Sequence, residues 1–120
     1  MRFMIVDDSK GMRMIFRRTL RQAGLDDHEV VEAGSADEAL EMLRTESFDF
    51  VFTDWNMPNK TGLELIETMA SEGIDVKAGL VTSRGSDEMR EKAQQAGARF
   101  LLTKPFTPDT IRGAVRAIGG

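Results

Sequence analysis

Phe50-Val51-Phe52-Thr53-Asp54-Trp55-Asn56-Met57-Pro58-Asn59-Lys60-Thr61-Gly62-Leu63 is the stretch from which the fold can be read. Phe50 to Thr53 is a short run with strand propensity that stops at an acid, as a buried strand of a parallel sheet does. A Pro-Asn-Lys turn follows, after which Leu63, Ile66, Met69 and Ala70 recur at helical spacing. The unit is therefore strand, polar turn, helix.

Outward from this segment the same unit repeats. Toward the amino terminus, Phe3 to Val6 is an apolar run ending at Asp7-Asp8, and Met12, Ile15, Phe16 and Leu20 form a helical stripe that Gly24 can close. Glu29 to Ala33 reads as a second strand. Ser35-Ala36-Asp37-Glu38 is a capping-box pattern opening a helix with Ala36, Ala39, Leu40 and Leu43 inward. Toward the carboxyl terminus, Ala78 to Thr82 is a strand, and Ser86 caps a helix with Met89, Ala93 and Ala96 on one side and Gly97 as its stop. That helix offers little apolar bulk. Phe100 to Leu102 is the last strand, and Thr107-Pro108 is an N-cap with proline at the first helical position, leading to Ile111, Ala114, Val115 and Ile118. Strands alternating with helices predict an α/β fold: a five-stranded parallel sheet with helices on both faces and right-handed crossovers.

Composition agrees with a single small domain. With 120 residues, 41% of them hydrophobic, the chain can build one core and no second domain of ordinary size. A net charge of −4 argues against nucleic acid as a partner, since phosphate-backbone binding needs a basic face. The absence of cysteine excludes disulfides and thiolate metal sites. The opening apolar run is too short for a signal peptide or membrane span, so a cytoplasmic protein without membrane attachment is expected.

In an open parallel sheet the functional crevice lies beyond the carboxyl ends of the strands. Asp7 and Asp8 end the first strand, Asp54 the third and Thr82 the fourth, and Lys104 follows the fifth, so that edge collects three carboxylates, a hydroxyl and an ammonium. Crowded carboxylates repel one another unless a cation neutralises them, and an all-oxygen set favours magnesium, or manganese by the same argument. Lys104 adds positive charge, Thr82 a hydrogen-bond donor, and Asp54 is the candidate nucleophile for an acyl phosphate, with Asp7 and Asp8 holding the metal. Taken singly, aspartates at strand ends are ordinary turn residues and Ser9 an ordinary helix cap; it is their convergence on one edge that points to chemistry.

These residues resemble the response-regulator receiver family along essentially the whole chain, in its CheY-like single-domain form. The resemblance rests on Val6-Asp7-Asp8-Ser9 with Met12-Arg13, Thr53-Asp54-Trp55-Asn56-Met57-Pro58 with Gly62-Leu63-Glu64-Leu65, Val81-Thr82-Ser83, and Lys104-Pro105-Phe106. It implies a flavodoxin-like strand order of 2-1-3-4-5, and residues 1–120 as one receiver domain with no output domain. It implies that Asp54 accepts the phosphoryl group, that Asp8, Asp54 and the Asn56 backbone carbonyl ligate magnesium, and that Asp7 acts mainly through ordered water. Thr82 and Lys104 would contact the phosphoryl oxygens, and the Lys104-Pro105 bond would be cis, an isomer confined almost wholly to proline.

The resemblance further implies a histidine kinase or phosphotransfer protein as donor and a phosphorylation-dependent output protein, with the flagellar motor a candidate in chemotaxis. Such a protein is a switch rather than an enzyme, self-catalysing its modification and slow hydrolysis, and a monomer is expected. One departure concerns the switch: receivers often carry Tyr or Phe three residues before the lysine, where this chain has Leu101, with Phe100 one place earlier. Ser83 and Arg84 are expected to tune water access to the phosphoryl group. Competing readings are a phosphorelay intermediate or phosphate sink, an aspartate-nucleophile phosphatase, and a flavodoxin-like cofactor carrier. His28, in the turn Asp26-Asp27-His28-Glu29, is read as a surface residue, and the scattered methionines as core filler.

Overall fold

The computed structural model describes residues 1–25 and 28–117, so Asp26, Asp27 and Ile118 lie outside the described residues. The elements run β1 (Arg2–Val6), α1 (Lys10–Gln22), β2 (Glu29–Ala33), α2 (Ala36–Thr45), β3 (Phe50–Asp54), α3 (Gly62–Ser71), β4 (Lys77–Thr82), α4 (Asp87–Ala96), β5 (Phe100–Thr103) and α5 (Pro108–Ala117). All five strands are parallel in the order β2-β1-β3-β4-β5. The order reverses between β1 and β3, and that reversal opens a crevice at their carboxyl ends. No helix among the described residues is long and apolar enough to cross a membrane.

Strand alternation sorts the core into two halves. From β1, Phe3 and Ile5 face α1 and α5, while Met4 and Val6 face α2, α3 and α4. The side covered by two helices is filled with rings: Phe16 lies 5.0 Å from Phe52, Phe3 lies 5.5 Å from Phe50, and Phe100 lies 5.4 Å from Phe52, between ring centroids. The other side is mainly aliphatic, with Val51, Leu65, Ile66, Met69 and Leu80 buried among α2, α3 and α4, and with Phe48 in the same cluster. As the sequence implies, α4 buries only Ala93 and Ala96.

Helix starts are set by short side-chain hydrogen bonds. The Ser9 hydroxyl accepts from Met12 N at 3.2 Å, and Thr107 Oγ1 accepts from Thr110 N at 3.2 Å. At Ser35 the hydroxyl accepts from Glu38 N at 3.1 Å, but the reciprocal box with both bonds forms at Thr61 and Glu64, at the head of α3. Several side chains depart from expectation. His28 is half-buried, edge-on to Phe3 at 5.2 Å, Met14 is 56% exposed on α1 rather than in the core, and Ile15, assigned to the apolar stripe of α1, is 47% exposed.

Candidate functional site

Backbone pairing assembles the site before any side chain contributes. Asp7 N donates to Ala33 O at 3.1 Å, extending the β1–β2 ladder one residue past the strand, and Trp55 N donates to Val81 O at 2.9 Å, so the chain leaving β3 stays beside β4. Asp54, the last residue of β3, is thereby held between the ends of β1 and β4. The loop after it folds back tightly: Gly62 N donates to Trp55 O at 2.9 Å, and a Cβ at Gly62 would sit 2.1 Å from Asp54 O. Only glycine permits that approach.

One carboxylate oxygen from each of Asp7, Asp8 and Asp54 lies within 4.8 Å of the others. Lys104 Nζ is 3.0 Å from Asp54 Oδ1, and the Asp54 side chain is only 12% exposed. Asp7 is buried and Asp8 is open to solvent. Burial pushes the Asp7 carboxyl above the ordinary carboxylate range; the Ser9 N–H, 2.9 Å from Asp7 Oδ1, opposes this, the Asp54 charge adds to it, and Lys104 subtracts. Lys104 thus answers one of three clustered charges, which leaves an oxygen-rich set matched to a hard dication with several waters.

Thr82 is buried at the end of β4, and its Oγ1 accepts from Arg84 N at 3.2 Å. Asn56 lies exposed in the loop after β3, and the peptide bond between Lys104 and Pro105 is cis. Beneath Asp54, the side chains of Met12, Phe16, Phe52, Val81 and Phe106 close off a cavity of about 10 Å³, near the lower limit for one water. A reactant must therefore approach Asp54 from the solvent side.

Leu101 stands apart from the acids. It packs on the α2–α4 side of the sheet and lines a groove of about 510 Å³ with Arg90, Ala93, Gln94 and Ala98. Phe100, one residue earlier, points to the opposite face, where its ring covers Gly79 so closely that a Cβ there would be 2.0 Å from it. Phe100 and Leu101 therefore lie on opposite sides of the sheet. Trp55 is half-buried against the aliphatic core beside Asp54.

Sequence reasoning missed Arg13 as part of this region. Its Nη1 donates to Asp7 O at 2.6 Å and its Nε to Glu32 at 2.9 Å. The adjacent Met12-Arg13 pair was visible, but the partner on β2 emerges only from the folded chain.

The sequence from residue 3 to residue 116 matches the response regulator receiver domain family. A chemotaxis protein CheY homolog of Campylobacter jejuni is 36% identical over 123 aligned positions, covering all of this chain and 93% of that protein. The structure of Vibrio cholerae chemotaxis protein CheY4 superposes with a TM-score of 0.84 at 31% identity, covering 98% of this chain and 97% of that one. A CheY-like receiver domain protein of Methanospirillum hungatei superposes with a TM-score of 0.83 at 27% identity, covering 98% of this chain and 91% of that one.

Proposed function

This chain belongs to the response regulator receiver domain family, and from that premise we propose that it is a phosphorylation-controlled signalling switch with Asp54 as its phosphoacceptor. The observation that carries this reading is the placement of Lys104 Nζ 3.0 Å from Asp54 Oδ1, with the Asp7 and Asp8 carboxylates within 4.8 Å. Asp8, Asp54 and the Asn56 backbone carbonyl would hold magnesium, or manganese, and Asp7 would act through its waters. When bound, the ion supplies positive charge at the oxygens of the transferring phosphoryl group.

The step is an in-line displacement. An Asp54 carboxylate oxygen forms a bond to phosphorus as the donor's phosphorus–nitrogen bond breaks, and the electron pair leaves with the imidazole of a kinase or phosphotransfer-protein histidine. Lys104 and the Thr82 hydroxyl would stabilise the phosphoryl oxygens by charge and by hydrogen bonding. The added charge would draw Thr82 toward the phosphoryl group and release Arg84 N, altering the loop into α4 and the groove beside Leu101 where an output protein binds. The modification is a self-catalysed turnover of one residue, reversed by slow hydrolysis, in a cytoplasmic setting.

Similarity to CheY proteins favours a chemotaxis output, the flagellar motor included. Leu101, which lacks a ring, favours a second reading in which the chain relays or absorbs phosphoryl groups without a motor partner. Intact-mass analysis after incubation with acetyl phosphate, with and without magnesium, tests the core of the proposal. One phosphoryl addition, lost without magnesium and lost in Asp54→Asn, is expected; addition that persists in Asp54→Asn would refute it.

A further inference from the structure

Arg13 is 17% exposed on the first turns of α1, and its guanidinium is spent in two directions. Nη1 donates to the Asp7 carbonyl oxygen at 2.6 Å, and Nε donates to Glu32 Oε1 at 2.9 Å. Glu32 in turn is held from the other side by Arg17 Nη1 at 2.9 Å, while Arg17 also reaches Val30 O at 3.3 Å. No hydrogen bond joins Arg17 to Asp7 among the described residues. An ion pair that braces α1 against β2 accounts for the bonds of Arg17, but not for the second bond of Arg13.

Arg13 differs because its second partner is the peptide joining the two carboxylates at the end of β1. A peptide unit is planar, so fixing its carbonyl oxygen fixes ψ of Asp7 and φ of Asp8 together. Those two angles set where both side chains leave the backbone. The Asp7 N–H bond to Ala33 O and the Ser9 N–H bond to Asp7 Oδ1 secure the same turn on either side, and the Arg13 bond completes the set. Glu32 offsets the Arg13 charge, which would otherwise oppose a dication nearby.

We propose that Arg13, oriented by Glu32, is a positioning residue for the metal site, holding the Asp7–Asp8 peptide so that both carboxylates face the ion. The inference rests on the functional reading above. Outer-shell partners of metal ligands commonly govern affinity by one to two orders of magnitude. Coulomb's law gives the test its sign: deleting a cation beside a dication site should by itself tighten binding, so weakened binding marks lost positioning.

The experiment is a magnesium titration of Trp55 fluorescence, with thermal unfolding run alongside, on the unaltered chain, Arg13→Ala and Arg112→Ala, the last of which releases the far end of α1, where Arg112 Nε donates to Ala23 O at 3.1 Å. The expected result is a magnesium Kd about tenfold higher in Arg13→Ala, and a Kd unchanged in Arg112→Ala even where its unfolding midpoint falls. An Arg13→Ala protein with unchanged or tighter binding would overturn the proposal. So would Arg112→Ala weakening binding as much as Arg13→Ala, because general loosening of α1 would then explain both. If Arg13→Ala does not fold, Arg13→Lys keeps the charge but not the planar fork that spans Asp7 O and Glu32, and should weaken binding in the same direction; unchanged binding there counts against the role. An unaltered chain that binds no magnesium in the same titration would overturn the functional reading as well, and so is distinguished from failure of Arg13 alone.

Discussion

At the amino end of the sheet, Arg2 bonds Glu29, Glu46 and the Ser47 carbonyl, lies 4.3 Å over the Phe48 ring, and has its own N–H accepted by Asp49. At the carboxyl end, three clustered carboxylates share one ammonium. Both ends are built from the same five strands, yet one completes its charges within the chain and the other leaves carboxylates in excess of its one ammonium. Groups satisfied internally serve folding. Groups left in excess cost stability until something binds, which is how a binding site is distinguished physically from a structural ion-pair network.

The contrast can be broken most sharply at Gly62. Backbone itself blocks a side chain there, and Gly62→Ala would press a methyl onto Asp54 O and Leu80. A loss of about 3 kcal/mol is expected from urea unfolding; a neutral result would mean that the acidic end is loosely built. Magnesium should act next most strongly. At about a hundredfold over its Kd it should stabilise the chain by about 2.7 kcal/mol, and Asp54→Asn should shrink that gain.

Asp7→Asn should give a smaller effect with a distinctive pH course. The Asp7 carboxyl is raised above its unfolded value, so its penalty is absent below the ordinary aspartate range near about pH 4 and grows as pH rises through the raised folded value. Without magnesium, Asp7→Asn should therefore gain stability over the unaltered chain as pH rises through that window. The two curves should converge in acid; parallel curves would remove the charge argument. The smallest effect belongs to the amino end: Arg2→Ala should lower the unfolding midpoint slightly, and added salt should reduce the difference, since those partners are exposed.

Much of this was legible in the sequence because the signals are local. Apolar runs ending at Asp7, Asp54 and Thr82 gave the strands to within a residue or two, and the carboxyl-edge rule gathered the acids without any knowledge of side-chain packing. What escaped needs two distant segments at once. Arg13 reads as one more basic residue on α1 until Glu32 on β2 is beside it. Phe100 and Leu101 are neighbours in sequence, but only the pleat and Gly79 decide which side each occupies. Thr61-x-x-Glu64 carries the capping-box signature, but so does Ser35-x-x-Glu38, and only the folded chain shows which of them closes both bonds.

The strand order has one further consequence, for colloidal behaviour. Placing β2 and β5 outermost leaves their outer backbone groups as templates on which another chain could add. β5 has only four residues, and β2 carries Glu29 and Glu32 among its five. Two copies meeting along β2 would crowd the ion pairs that Glu29 makes with Arg2 and Glu32 makes with Arg13 and Arg17, so charged side chains guard that edge against growth into fibres.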